Sequence, residues 1–163
     1  MAFATLAAEA ALLEAASLAS PLVALEQIGE SVLGNPLWLV RIGDPPPSTT
    51  DRADVLFVGC QHGLEPAGRE ALLELVSDLG DGDTSAEAAV SGLNVLIVPT
   101  VNPDGFDAET RENANGIDLN RDWLALTQPE TQAVSALIGT SRPLLVADQH
   151  EAIGAIDPDN HVE

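Results

Sequence analysis

The sequence contains no lysine and no tyrosine, a single cysteine, and six basic residues, all arginine, against 26 acidic ones. Its formal net charge of −20 argues against nucleic acid and against anionic membrane surfaces as partners, because phosphate binding needs a cationic face. One cysteine, Cys60, excludes an internal disulfide and a cysteine-built zinc centre. Placed at the end of an apolar run, it reads as a small buried side chain. No apolar run is long enough to span a bilayer. The opening MAFATLAAEAALLEAASLAS lacks the basic lead of a signal peptide and carries Glu9 and Glu14, so it reads as an alanine-rich helix. The compartment stays open, with the cytoplasm as the default.

What is present is enough for one domain. A chain of 163 residues, 45% of them apolar, is long enough to bury about two-thirds of its unfolded surface. A helix is expected over residues 5–18, ended by Ser20-Pro21. Gly34-Asn35-Pro36 introduces a strand at 37–42, and DPPPSTTDR at 44–52 is a proline-rich connection. Residues 55–58 and 95–98 are near-continuous apolar runs, the pattern of strands buried on both faces. Between them Leu72, Leu75, Val76 and Leu79 share a helical face from Pro66 onward, followed by an acidic stretch, GDGDTSAEAAVSG, read as a solvated connection. A long polar segment from 102 to 123 is of the kind retained for function. Thr127-Gln128-Pro129-Glu130 reads as a capping box opening a further helix, and 144–147 as a last strand. The order of elements implies an α/β fold with a mixed, mainly parallel sheet flanked by helices.

In open α/β sheets ligands bind beyond the carboxyl ends of the strands. His62 and Glu65, in GCQHGLEPAGRE (59–70), follow one strand, and His150, in DQHE, follows another. Two histidines and a carboxylate, with a fourth position left to water, are an established catalytic zinc set. Pro66 suits the first turn of a helix and leaves Glu65 at or near its N-cap, a place glutamate does not favour. A polar loop with a backbone-capped histidine accounts for the same residues without a metal.

HGLEPAGREALL, VPTVNPDGF, the run RENANGIDLNRDW (111–123), QPET and DQHE, in this order, resemble the zinc carboxypeptidases of the M14, carboxypeptidase A-like family, and IGESVLGNPLWLVRIG resembles that family's opening strand. The likeness runs from about residue 28 to Glu151. It implies an incomplete α/β/α sandwich, with an N-terminal helical segment at 1–27 and a partial catalytic domain at 28–163. It also implies one zinc ion held by His62, Glu65 and His150, a scissile carbonyl polarised by Arg111, and a substrate carboxylate held by Asn120 and Arg121. A guanidinium fork suits a carboxylate; the other reading of both arginines is surface charge or a structural bridge to Asp107, Asp118 or Asp122. Asp148 is a candidate for orienting a ligand histidine, Trp123 for the core, and Arg69 for the surface or a carboxylate partner.

The family's general base is a glutamate on a later strand. Neither Glu151 nor Glu163 fits that position, so the chain is expected to be truncated before it, with an apolar sheet edge open to self-association. The expected activity is metal-assisted removal of C-terminal residues from peptides. The alternatives are a non-catalytic module binding zinc and peptide C-termini, and a related zinc amidohydrolase or deacylase acting on acylated amino acids or cell-wall peptides; all of these substrates carry a free carboxylate.

Overall fold

The structure, a computed structural model, describes residues 3–43 and 53–151. The proline-rich connection at 44–52 and Glu163 lie outside the described residues. In chain order the elements are α1 (Leu6–Ala19), β1 (Val23–Glu30), β2 (Pro36–Ile42), β3 (Ala53–Val58), α2 (Ala67–Gly80), α3 (Thr84–Val90), β4 (Leu93–Val98), α4 (Pro103–Ala108), a 3₁₀ turn at Leu119–Arg121, α5 (Pro129–Ser141) and β5 (Leu145–Asp148).

The five strands form one mixed sheet in the order β1-β2-β4-β3-β5. β1 with β2 and β2 with β4 are antiparallel, whereas β3 runs parallel to both β4 and β5. Side chains alternate across the sheet, as the pleat requires. Val40, Ile42, Val55, Val95 and Ile97 pack with Leu13 of α1, Leu72 and Val76 of α2, and Val90 of α3. Leu39, Leu56, Val58, Leu96 and Val98 pack on the other face with Val134 and Leu137 of α5 and with Leu119. Helices on both faces explain why β3 and β4 read as continuous apolar runs.

Four local expectations are corrected. β1 was not expected: VALEQIGE mixes Glu26, Gln27 and Gly29 into an edge strand, with a register shift between Gln27 and Gly29, and so carries little alternation. It runs through position 27/28, where the sequence reading closed the N-terminal segment. The acidic connection contains α3, whose start Asp83 caps by accepting from Ser85 and Ala86 N–H. α4 lies within the polar segment, capped by the Asn102 side chain with Pro103 in its first turn. No capping box opens α5: the N-cap is Gln128, Thr127 donates to Asp122, and Glu130 instead accepts from Val32 N and Asn113.

β5 pairs only with β3 among the described residues, with Leu145 54% and Val146 42% exposed. No helix among the described residues is long and apolar enough to cross a membrane.

Candidate metal centre

Val58 of β3 lies opposite Asp148 of β5, so the loops that leave these two parallel strands emerge side by side at one sheet edge. The β3 loop is stitched to the β4 loop by Val101 N–H to Gly59 C=O (3.1 Å) and Asn102 N–H to Cys60 C=O (3.0 Å). Cys60 turns the chain with a left-handed φ of 49°, uncommon outside glycine. Its thiol is buried, which pushes its pKa up to about 12 and leaves it a poor nucleophile, in keeping with the small buried side chain expected. Gly63 packs directly on α4: a Cβ there would stand 1.9 Å from the Gly105 carbonyl carbon. Only glycine allows this contact, and the contact fixes His62 and Glu65 on either side of it.

His62, Glu65 and His150 converge, each offering a ligand atom within 4.8 Å of the others'. His62 Nδ1 is 2.8 Å from Glu65 Oε1, and His150 Nδ1 is 2.8 Å from Glu65 Oε2. The two imidazole rings tilt toward each other with centroids 4.7 Å apart. Their other nitrogens face carboxylates: His62 Nε2 is 3.1 Å from Asp118 Oδ1, and His150 Nε2 is 3.0 Å from Asp148 Oδ2. That arrangement accompanies metal-ligating histidines, whose outer ring nitrogen is held by an acceptor while the inner one carries the lone pair. The donor set fits zinc. Tetrahedral coordination at ordinary bond lengths separates ligand atoms by about 3.3 Å, a few tenths of an ångström beyond the present Nδ1–carboxylate spacing.

Glu65 is buried, and its carboxylate is densely served. Burial alone would raise its pKa, but the Glu151 N–H (3.0 Å), His150 and His62 outweigh it and hold the group below the usual carboxylate range. The same balance holds Asp118 down, where His62 and Arg111 offset its burial. For His150, burial acts to lower the pKa, but contact with Glu65 and Asp148 raises it overall.

Arg111 reaches the cluster by a bridge. Its Nε donates to Asp118 Oδ2 at 2.9 Å, and its NH1 stands 3.6 Å from Glu65 Oε1. The bridge reading of this residue is met at Asp118, and the same pairing holds it beside Glu65. Asn120 places Nδ2 3.4 Å from His150 Nε2, and its backbone N–H donates to Asp118 at 2.9 Å. Arg121 is exposed, bonds only the Asn120 carbonyl at 3.4 Å, and forms no ion pair among the described residues. The structure thus brings His62, Glu65, His150, Arg111 and Asn120 together and leaves Arg121 at the rim.

Two residues at the centre were not singled out from sequence. Asp118 appeared there only as a bridge partner for arginine; its place three residues before the Arg121 it neighbours gives no hint of His62, 56 positions away. Gln61 precedes His62 yet is wholly buried, between Trp123 and Asp148. Glu151, adjoining His150, accepts from Ala67 N–H at 3.1 Å and so caps α2.

The chain resembles known carboxypeptidases in sequence and in fold. Carboxypeptidase SOL1 of Arabidopsis thaliana is 41% identical over 123 residues, covering 68% of this chain and 25% of that protein. Carboxypeptidase M of Mus musculus is 32% identical over 151 residues, covering 80% of this chain and 34% of its own. The chain therefore spans between a quarter and about a third of these curated relatives. Among solved structures, a metallo-carboxypeptidase from Burkholderia cenocepacia superposes with a TM-score of 0.79 at 28% identity, covering 90% of this chain and 40% of that one. One from Pseudomonas aeruginosa, in complex with (2-guanidinoethylmercapto)succinic acid, gives 0.75 at 28% identity, with 90% and 39% covered. The family profile described as zinc carboxypeptidase, peptidase M14, matches residues 8–154, and the chain belongs to that family.

Proposed function

We propose that this chain carries the metal-binding and carboxylate-recognising part of a zinc metallocarboxypeptidase, which removes C-terminal residues from peptides. The observation that carries the reading is the convergence of His62, Glu65 and His150 from two strand-end loops, with Arg111 held against the same glutamate. His62, Glu65 and His150 hold one zinc ion. When bound, zinc supplies a Lewis acid and a water of lowered pKa. Arg111, fixed by Asp118, presents a cation where charge develops on a carbonyl oxygen. Arg121, without a carboxylate partner among the described residues, has its guanidinium fork open to the substrate's terminal carboxylate, with Asn120 as a neutral donor beside it. In a chain of net charge −20 an open guanidinium at this edge favours an anionic group there. The succinic acid derivative bound by the Pseudomonas aeruginosa enzyme is a dicarboxylate, which supports the same recognition here. Glu151, engaged as the cap of α2, is not given the role of general base.

Metal analysis of the purified protein tests the reading. One zinc per chain is expected, lost on Glu65→Ala. Equal zinc retention by Glu65→Ala would remove Glu65 from the ligand set, and a wild-type protein that takes up no zinc would end the proposal.

A further inference from the structure

Gln61 is 0% exposed and bonded at both ends of its amide. Its Oε1 accepts from Trp123 Nε1 at 2.8 Å, and its Nε2 donates to Asp148 Oδ2 at 2.7 Å. The same Asp148 oxygen lies 3.0 Å from His150 Nε2. Each of these bonds constrains the next. An indole N–H donates and never accepts, so the atom facing Trp123 must be the amide oxygen of Gln61. That leaves the amide NH₂ facing Asp148, which must then accept. A carboxylate already accepting from Gln61 receives the proton of His150 Nε2–H rather than offering one, so Nδ1, which without a metal donates to Glu65 Oε2 at 2.8 Å, is the nitrogen left to give its lone pair to a metal ion.

One neighbour opposes this order. Asn120 Nδ2, a donor, stands 3.4 Å from the same Nε2 and would favour the opposite tautomer. The carboxylate is closer and charged, and hydrogen bonds to a charged acceptor are about twice as strong as neutral ones. Nε2 therefore keeps its proton when Nδ1 is given to a metal ion.

We infer that Gln61 is a positioning residue for the metal centre: anchored by Trp123, it orients Asp148 so that His150 presents Nδ1. Gln61 adjoins His62, so one stretch of backbone delivers a ligand directly and, through Asp148 87 residues on, aligns another across the β3–β5 edge. A purely structural role would be to pin the loop bearing Trp123 onto β3, and that role has no reason to touch metal affinity.

The inference rests on the zinc reading above, and the experiment separates the two. Zinc dissociation constants are measured by competition with a chelating dye for wild type, Gln61→Met and Trp123→Phe, alongside urea unfolding of the metal-free proteins. Gln61→Met keeps the length of the side chain and removes both bonds; Trp123→Phe keeps the ring and frees the amide to turn. Gln61→Met is expected to bind zinc about 10–100-fold more weakly, the usual effect of losing such an outer partner, and Trp123→Phe to lose part of that. In the zinc-loaded wild type, nitrogen-resolved NMR is expected to show the His150 proton on Nε2, slow to exchange, and in Gln61→Met faster exchange. Unchanged zinc affinity in a folded Gln61→Met overturns the inference, as does stability loss alone. If Gln61→Met does not fold, the wild-type spectrum and Trp123→Phe decide: a His150 proton found on Nδ1, or zinc affinity untouched by Trp123→Phe, overturns it. A wild type that binds no zinc fells the metal reading itself, a different outcome from either.

Discussion

Arg69, expected at the surface or paired with a carboxylate, is among the most deeply buried side chains of the described residues and is held by a buried acid. Its Nη2 is 2.7 Å and its Nε 3.0 Å from Glu9 Oε2, while Nε also donates to Thr100 Oγ1 at 2.8 Å. Thr100 donates to the same Glu9 oxygen at 2.7 Å, Glu70 takes a further guanidinium bond, and the Phe106 ring lies 4.2 Å beneath. The cluster fastens α1 to the first turn of α2, the helix that begins just after Glu65. Arg69→Met keeps the stem but leaves Glu9, itself 2% exposed, as an uncompensated buried charge. Breaking such a pair from one side costs about 3–5 kcal/mol. Removing both charges in Glu9→Leu/Arg69→Met should cost less. It loses a hydroxyl's partners, about 1 kcal/mol, and a desolvated cation–π contact, about 2 kcal/mol, while no charge is left buried, so a total of at most about 3 kcal/mol is expected. Urea unfolding of the metal-free proteins, with Glu9→Leu alone as the second single variant, measures all three, with the midpoint moving and the slope constant. A single variant that loses less than the double, or single losses that simply add, would refute a coupled buried pair.

Two further outcomes follow from single residues. Burial would raise the Asp122 carboxyl, but the Thr127 and Thr131 hydroxyls and the Thr127 and Gln128 N–H groups offset it and hold the pKa at about 2. A group depressed in the folded state stabilises above its unfolded value of about 3.9 and ceases to do so as pH falls through the folded one. Wild type should therefore lose stability between about pH 4 and pH 2 more steeply than Asp122→Asn, and parallel urea-midpoint curves for the two would count against the reading. For Arg121, calorimetry with a peptide and its C-terminally amidated twin should show weaker binding of the amide in wild type and nearly equal binding in Arg121→Ala; a preference that survives the substitution removes Arg121 from carboxylate recognition.

What the sequence makes legible here is local. The apolar runs of β3 and β4, the amphipathic face of α2 and the motifs each reside within a few neighbouring positions, and they yield the parallel core of the sheet, α2 and the three ligand candidates. What it hides depends on partners far along the chain. The Asp118–His62 contact joins residues 56 apart, Gln61–Asp148 joins residues 87 apart, and Arg69–Glu9 joins residues 60 apart. Glutamate at 130 matches a capping box by spacing, yet its side chain holds Val32 N–H, 98 residues away, because a buried carboxylate goes to the donors that tertiary packing presents. β1 fails to announce itself for a related reason. An edge strand paired on one side carries weaker alternation, and here Gly29 and a register shift interrupt it.

Scarcity of cations sharpens the sorting of the arginines, but exposure and pairing, rather than motif, complete it. Arg41 faces Glu26 across β1 and β2 at 3.0 Å on the surface, a pair of the kind that contributes little. Arg69 is sealed within the fold. Arg111 divides its guanidinium between Asp118 and Glu65 and so links the orientation of His62 to the position of the cation beside it. Any shift of Asp118 would move a proposed ligand and the proposed carbonyl-polarising group together. Arg121 neighbours the same turn, since Asp118 accepts from Asn120 N–H, yet its own charge is uncommitted among the described residues. Asp118 thus contacts His62, Arg111 and Asn120, three of the residues proposed to act at this edge, while the fork of Arg121 stays open.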